Sequence, residues 1–180
     1  MQTKFLGMVR IISLLLVIVF CSSSILAQED NSHVLASLPD CVCADTSSNT
    51  TDFNNNGLKV LQVGREIAII NKEIITGSCW DFVNYVYKKS GAEKTSIFRS
   101  KKGGPYAKPE MVKPGDWIYH INYSYKNIEH SAIFVCWKDI EKRIAVTLSY
   151  AGGNRKLPGK YGTYNLKGIY SIQRPAEPLN

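Results

Sequence analysis

The sequence predicts an α+β fold in which helices come first and an antiparallel sheet follows, and three observations lead there. Thr76 to Ala92, "TGSCWDFVNYVYKKSGA", has the pattern of a capped amphipathic helix. From "DWIYHI" onward the pattern changes to short alternating runs, "HSAIFVCW", "RIAVTLSY" and "GIYSIQ". Helical and strand patterns are segregated along the chain rather than alternating, which argues against a parallel α/β sheet.

In chain order, the segment from Met1 to Ala27 is expected to be a secretory signal peptide. Lys4 and Arg10 precede the apolar run "IISLLLVIVF", which is short for a membrane span, and "SILA" offers a small residue at the cleavage point. A lipoprotein attached at Cys21 would want a small residue before the cysteine, and Phe20 stands there. Removing Lys4 and Arg10 lowers the formal charge from +7 to +5, because no acidic residue lies before Gln28. A mildly basic exported protein suits an anionic surface such as a bacterial cell wall, though solubility alone accounts for the charge equally well. The roughly 150 residues that remain are enough for one domain with a real core, and too few for two.

Residues 28–57 are rich in Asn, Ser, Thr and Asp and read as a flexible polar segment, pinned at most around Cys41-Val42-Cys43. The domain proper is expected over 58–180. "LKVLQVGREIAIINKEII" fits either a helix or an extended run, and a helix from about Gly57 is the expectation. In the next helix Ser78 is the N-cap, with Asp81 completing a capping box, and Gly91 is the stop. Cys79 is then the first helical residue, on the same stripe as Phe82, Val83 and Val86. "SIFRSKKGGPYAKPEMVKPG" reads as a basic loop broken by Gly and Pro, and "AGGNRKLPGKYGTY" as an irregular loop bordering the site. Asp116 in "PGDW" is expected to fix a turn through its carboxylate.

An exported chain meets oxidising conditions, so cysteine pairing is expected. Cys41 and Cys43 are too close for an easy mutual bridge, and either can pair with Cys136. Cys79 differs, because a thiol at a helix N-terminus is favoured as thiolate, the form that attacks carbonyl carbon. It needs a base, and the chain has three histidines. His33 lies in the polar segment, His120 ends a strand, and His130 opens one. Strand alternation groups His130, Ala132, Phe134 and Cys136 on one face. If that face packs under the Cys79 helix, small Ala132 lets the helix approach and His130 reaches the thiol. The Cys79 N–H would then stabilise an oxyanion.

"GSCWDFVNYVYKKSGA", "KPGDWIY" and "HSAIFVCW", in that order, resemble the NlpC-type group of papain-like cysteine peptidases and the related CHAP amidases. The resemblance covers Thr76 to Tyr150. It implies a papain-like domain that hydrolyses peptide or amide bonds of peptidoglycan through a thioester, with Cys79 as nucleophile and His130 as base and acid. It implies no metal, no organic cofactor and no nucleic-acid partner, and a periplasmic or secreted location. Many members have Asp before the cysteine and Ser-Gly after it, where this chain has Ser78, Trp80 and Asp81, which puts substrate preference in question. Trp80, Asp81 and Trp117 are the candidate substrate contacts, although Trp117 and Trp137 also suit core or rim positions. The residue orienting His130 is sought among Tyr150, expected to face it if "KDIEK" is a symmetric turn, Asn154, and a backbone carbonyl. Two other readings stay open. One is a degenerate cell-wall-binding module on the same scaffold. The other is an exported domain in which Cys79 is tied up in a disulfide with Cys41, Cys43 or Cys136.

Overall fold

The computed structural model describes residues 55–150 and 156–176. The expected leader, the Cys41-Val42-Cys43 segment, His33 and Asn154 lie outside the described residues. Helix α1 (Asn55–Arg65) runs into a π-helical turn (Glu66–Ile70), so the expected helix from Gly57 forms. It stops at Asn71, and Lys72 takes a left-handed φ of 51°. Ile70 and Ile74 are therefore exposed rather than on the helix's buried stripe.

Helix α2 (Cys79–Ser90) follows the predicted boundaries. The Ser78 N–H and hydroxyl both donate to Asp81 Oδ2, at 2.7 and 2.8 Å. Gly77 has φ 117°, and a Cβ there would collide with the Asp81 carboxylate, so this turn requires glycine. Gly91 closes the helix in the left-handed region with φ 70°, its N–H bonded to Lys88 and Tyr87 carbonyls.

Six strands follow: β1 (Glu93–Arg99), β2 (Trp117–Asn122), β3 (Ile128–Asp139), β4 (Ile144–Ser149), β5 (Lys160–Asn165) and β6 (Ile169–Ala176). They form one antiparallel sheet in the order β1-β6-β2-β3-β4-β5. This agrees with α+β. The strands β1 and β5 replace two stretches expected to be loops. Both are sheet edges: β1 is largely exposed, and β5 carries Gly162, so neither shows clean alternation.

The two sheet faces bury separate clusters. On one, Phe82, Val83, Val86 and Tyr87 of α2 and Val60 and Leu61 of α1 pack on Trp117, Ile133, Val135, Val146 and Leu148. On the other, Ala107 and Val112, from the segment before β2, cover Ile118, Ala132, Phe134, Ala145, Ile169 and Ile172. A bulge between Phe134 and Cys136 breaks the alternation, so Cys136 joins the helix-side cluster rather than the side of Phe134.

The Pro114-Gly115-Asp116 turn fastens the two layers together. Asp116 accepts the Lys113 N–H at 2.8 Å and a two-pronged pairing from Arg174 of β6 at 2.9 and 2.8 Å. Its carboxylate thus fixes the turn as expected. Tyr87 of α2 donates its hydroxyl to the Gly115 carbonyl at 2.8 Å and accepts the Trp117 N–H at 2.9 Å. The Tyr87 hydroxyl and its bonds to Gly115 and Trp117 are buried, so Tyr87→Phe should strand the Trp117 N–H and cost about 1–3 kcal/mol. Urea denaturation checks this, and an unchanged midpoint would mean that the hydroxyl contributes nothing.

Candidate functional site

Cys79 is a free, partly buried thiol, whereas Cys136 is disulfide-bonded to a partner outside the described residues. The reading in which Cys79 is tied up in a disulfide is thereby corrected. The thiol stands at the start of α2, beside an open cleft of about 410 Å³. Helix α2 packs on β3 and β4 and reaches β2 at Trp117, and the cleft opens on the same face toward β6 and the β1 edge. The cleft floor there is Trp117, Tyr119, Tyr170, Ser171 and Gln173, its far wall is Lys94, Arg99 and Ser100 of the β1 edge, and Trp80 stands at its mouth.

The rings form a continuous run. Trp80 and Trp117 centres are 5.5 Å apart, Trp117 stacks on Tyr119 at 5.6 Å, and Tyr119 meets Tyr170 at 6.1 Å. The Lys94 ammonium lies 4.9 Å from the Trp117 ring centre. Trp117 is 1 % exposed and belongs to the core as much as to the cleft, while Trp80, 43 % exposed, keeps a ring available to a ligand. Burial raises the pKa of Tyr119, with a lesser contribution from the nearby Cys79 sulfur. Burial also holds the Tyr170 phenol well above its usual range, helped by the negative charge of Glu129. Asp81 is not part of the lining, since its carboxylate is engaged by Ser78 at the helix start.

The expected Cys79–His130 dyad does not assemble. The β2–β3 pairing sets His130 opposite His120, Ala132 opposite Ile118, and Ile133 opposite Trp117. Since paired residues share a face, His130 lies with Ala132 and Phe134, and α2 packs on the face of Ile133 and Val135. The bulky residues, not the small one, meet the helix, because Phe82, Val83 and Val86 bury more surface against Ile133, Val135 and Leu148 than Ala132 offers. Among the described residues both histidines, His120 and His130, lie on the face away from the thiol.

Tyr150, in contrast to the histidines it was expected to face, is on the helix side, stacked 6.1 Å from Phe82. Ser149, rather than Tyr150, is the β4 residue on the His130 face, where its hydroxyl lies 3.4 Å from that of Tyr164. The "KDIEK" turn is not symmetric. Register shifts after Phe134 and Trp137 move the pairing so that Ala132 meets Ser149, and a slip of one residue exchanges the faces of every side chain. Lys94, Arg99, Tyr119 and Tyr170 went unnamed in the sequence because they converge only once β6 inserts between β1 and β2.

No protein-family model matches the chain, and no curated protein matches it. Among the described residues no helix is long and apolar enough to cross a membrane.

The two histidines are buried, His120 at 0 % and His130 at 8 % exposure. Burial, with the neighbouring His130 second, pushes His120 down to about 3, and burial alone pushes His130 down to about 4. An unfolded imidazole protonates near 6.5, so between that pH and about 4 the unfolded chain binds more protons than the folded one. Stability should therefore be level above neutral pH and decline as pH falls from about 6.5 to 4. The loss should be of the order of a few kcal/mol, levelling off below about 3. Urea denaturation across this range measures it, and His130→Gln should flatten the slope; stability independent of pH would contradict it.

Proposed function

We propose that this is an exported cell-wall-binding domain built on a papain-like cysteine-hydrolase scaffold whose catalytic dyad is not assembled. The observation that carries this reading is the sheet register, which separates Cys79 from His130 while leaving a ligand-sized cleft open beside the thiol. Aromatic faces suit sugar rings, and the two cations of the β1 edge, Lys94 and Arg99, suit carboxylates. An anionic peptide or glycan fragment of peptidoglycan has both. The ordered motifs around Cys79, Asp116 and His130 support the choice of scaffold and of an extracytoplasmic setting.

A second reading, a thioester-forming cysteine hydrolase of peptidoglycan, is favoured by one specific observation: Cys79 is a free thiol at a helix start, next in the chain to Trp80, which lines the cleft. Helix geometry leaves the first N–H groups without intrahelical partners, as an oxyanion site needs. In that reading the proton acceptor would have to come from outside the described residues or from the Tyr170–Glu129 pair.

Titration calorimetry with soluble muropeptides, run beside a wall-lysis assay, separates the two. Trp80→Ala should weaken binding about two- to ten-fold through lost stacking, and Arg99→Ala about ten-fold or more. Cys79→Ala and His130→Ala should leave affinity within about two-fold, and the wild type should release no soluble fragments. Lysis by the wild type that disappears in Cys79→Ala would overturn the binding reading and establish the hydrolase, whatever His130→Ala does.

A further inference from the structure

The sheet face away from α2 carries a polar cluster that neither reading uses. Four neighbouring strands contribute: His120 from β2, His130 from β3, Ser149 from β4 and Tyr164 from β5. The ring centres of His120, His130 and Tyr164 are mutually 5.5 Å apart, with the imidazoles edge to face at 84°. Tyr164 reaches the histidines by lying along the sheet over Gly162, where a Cβ would strike its ring.

On this face the Nε2 atoms of both histidines, like the Thr147 hydroxyl, are buried and have no hydrogen-bond partner. Such atoms cost free energy unless something pairs with them. His120 Nδ1 lies 3.2 Å from the Ile121 carbonyl. A carbonyl only accepts, so Nδ1 carries the proton and the Nε2 lone pair is left free. A backbone carbonyl holding one ring nitrogen while the other is unpartnered is the arrangement that prepares an imidazole to ligate a metal. Two imidazoles bound through Nε2 at about 2.0–2.1 Å to one tetrahedral ion have ring centres about 5 Å apart, close to the separation seen here.

We propose that His120 and His130 form the two-imidazole core of a binding site for a borderline divalent transition metal, zinc being the best match. Tyr164, whose ring centre is 5.5 Å from both imidazoles, closes the site on the β5 side with its hydroxyl beside Ser149, and water completes the coordination. No carboxylate or thiolate joins them, since among the described residues no cluster of three His, Cys, Asp or Glu exists. The site therefore disfavours calcium and magnesium, which want several oxygen ligands. It lies across the sheet from the cleft, so its occupancy does not depend on what the cleft binds.

The test is zinc titration of the full chain, followed calorimetrically and through the imidazole nitrogen resonances. Expected are one equivalent of zinc bound by the wild type and by Cys79→Ser, shifts in two imidazoles, and affinity at least about 100-fold weaker in His130→Gln. Magnesium should not compete. If His130→Gln fails to fold, the wild-type resonances alone decide, because zinc must then perturb two rings. No zinc uptake, uptake that leaves the imidazole resonances unmoved, or uptake lost in Cys79→Ser would overturn the proposal.

Discussion

The packing of α2 on Ile133, Val135 and Leu148 is the constraint from which the rest of the molecule follows. A strand offers two faces, and a helix with large apolar residues takes the one that buries more. Once Phe82, Val83 and Val86 settle there, every side chain of β3 is assigned a side. Cys79 travels with the helix, and His130 is committed to the opposite layer one peptide away from Ser131. A thiol and an imidazole that the ordered motifs would pair end up separated by the sheet itself.

The same commitment divides the polar chemistry of the domain. On the helix side, aromatic rings and the cations of the β1 edge surround a space open to solvent. On the other, imidazoles and a phenol are enclosed by aliphatic side chains. An open basic groove favours exchangeable anionic ligands, and an enclosed pair of lone-pair donors favours a small cation. One sheet can serve both because alternation keeps the two sets of side chains apart.

Much of the fold was legible in the sequence where a local rule sufficed. Ser78, Asp81 and Gly91 bounded α2 correctly, since capping depends on residues within one turn. The runs "DWIYHI", "HSAIFVCW", "RIAVTLSY" and "GIYSIQ" became strands, since each alternates strongly. The edges were not legible, because β1 and β5 lack an apolar face of their own to announce them. Nor was the partner of each strand face: Ala132 was a reasonable landing for a helix, but choosing between two faces is a tertiary decision. The Ser149–Tyr150 exchange was hidden by two register shifts that leave no mark in composition. The opposition of His120 and His130 was within reach, because a hairpin centred on Tyr125 sets them face to face.

Strand β6 lies between β1 and β2, although it is made after all the others. On the ribosome, therefore, β2, β3 and β4 can pair as they emerge, while β1 has no neighbour until residues near Ala176 have been synthesised. Arg174, which locks the Asp116 turn, arrives with that same late strand. Closure of the sheet and creation of the groove floor thus coincide as one late event. Before it, the nascent chain presents an unpaired ribbon of the kind that chaperones hold extended.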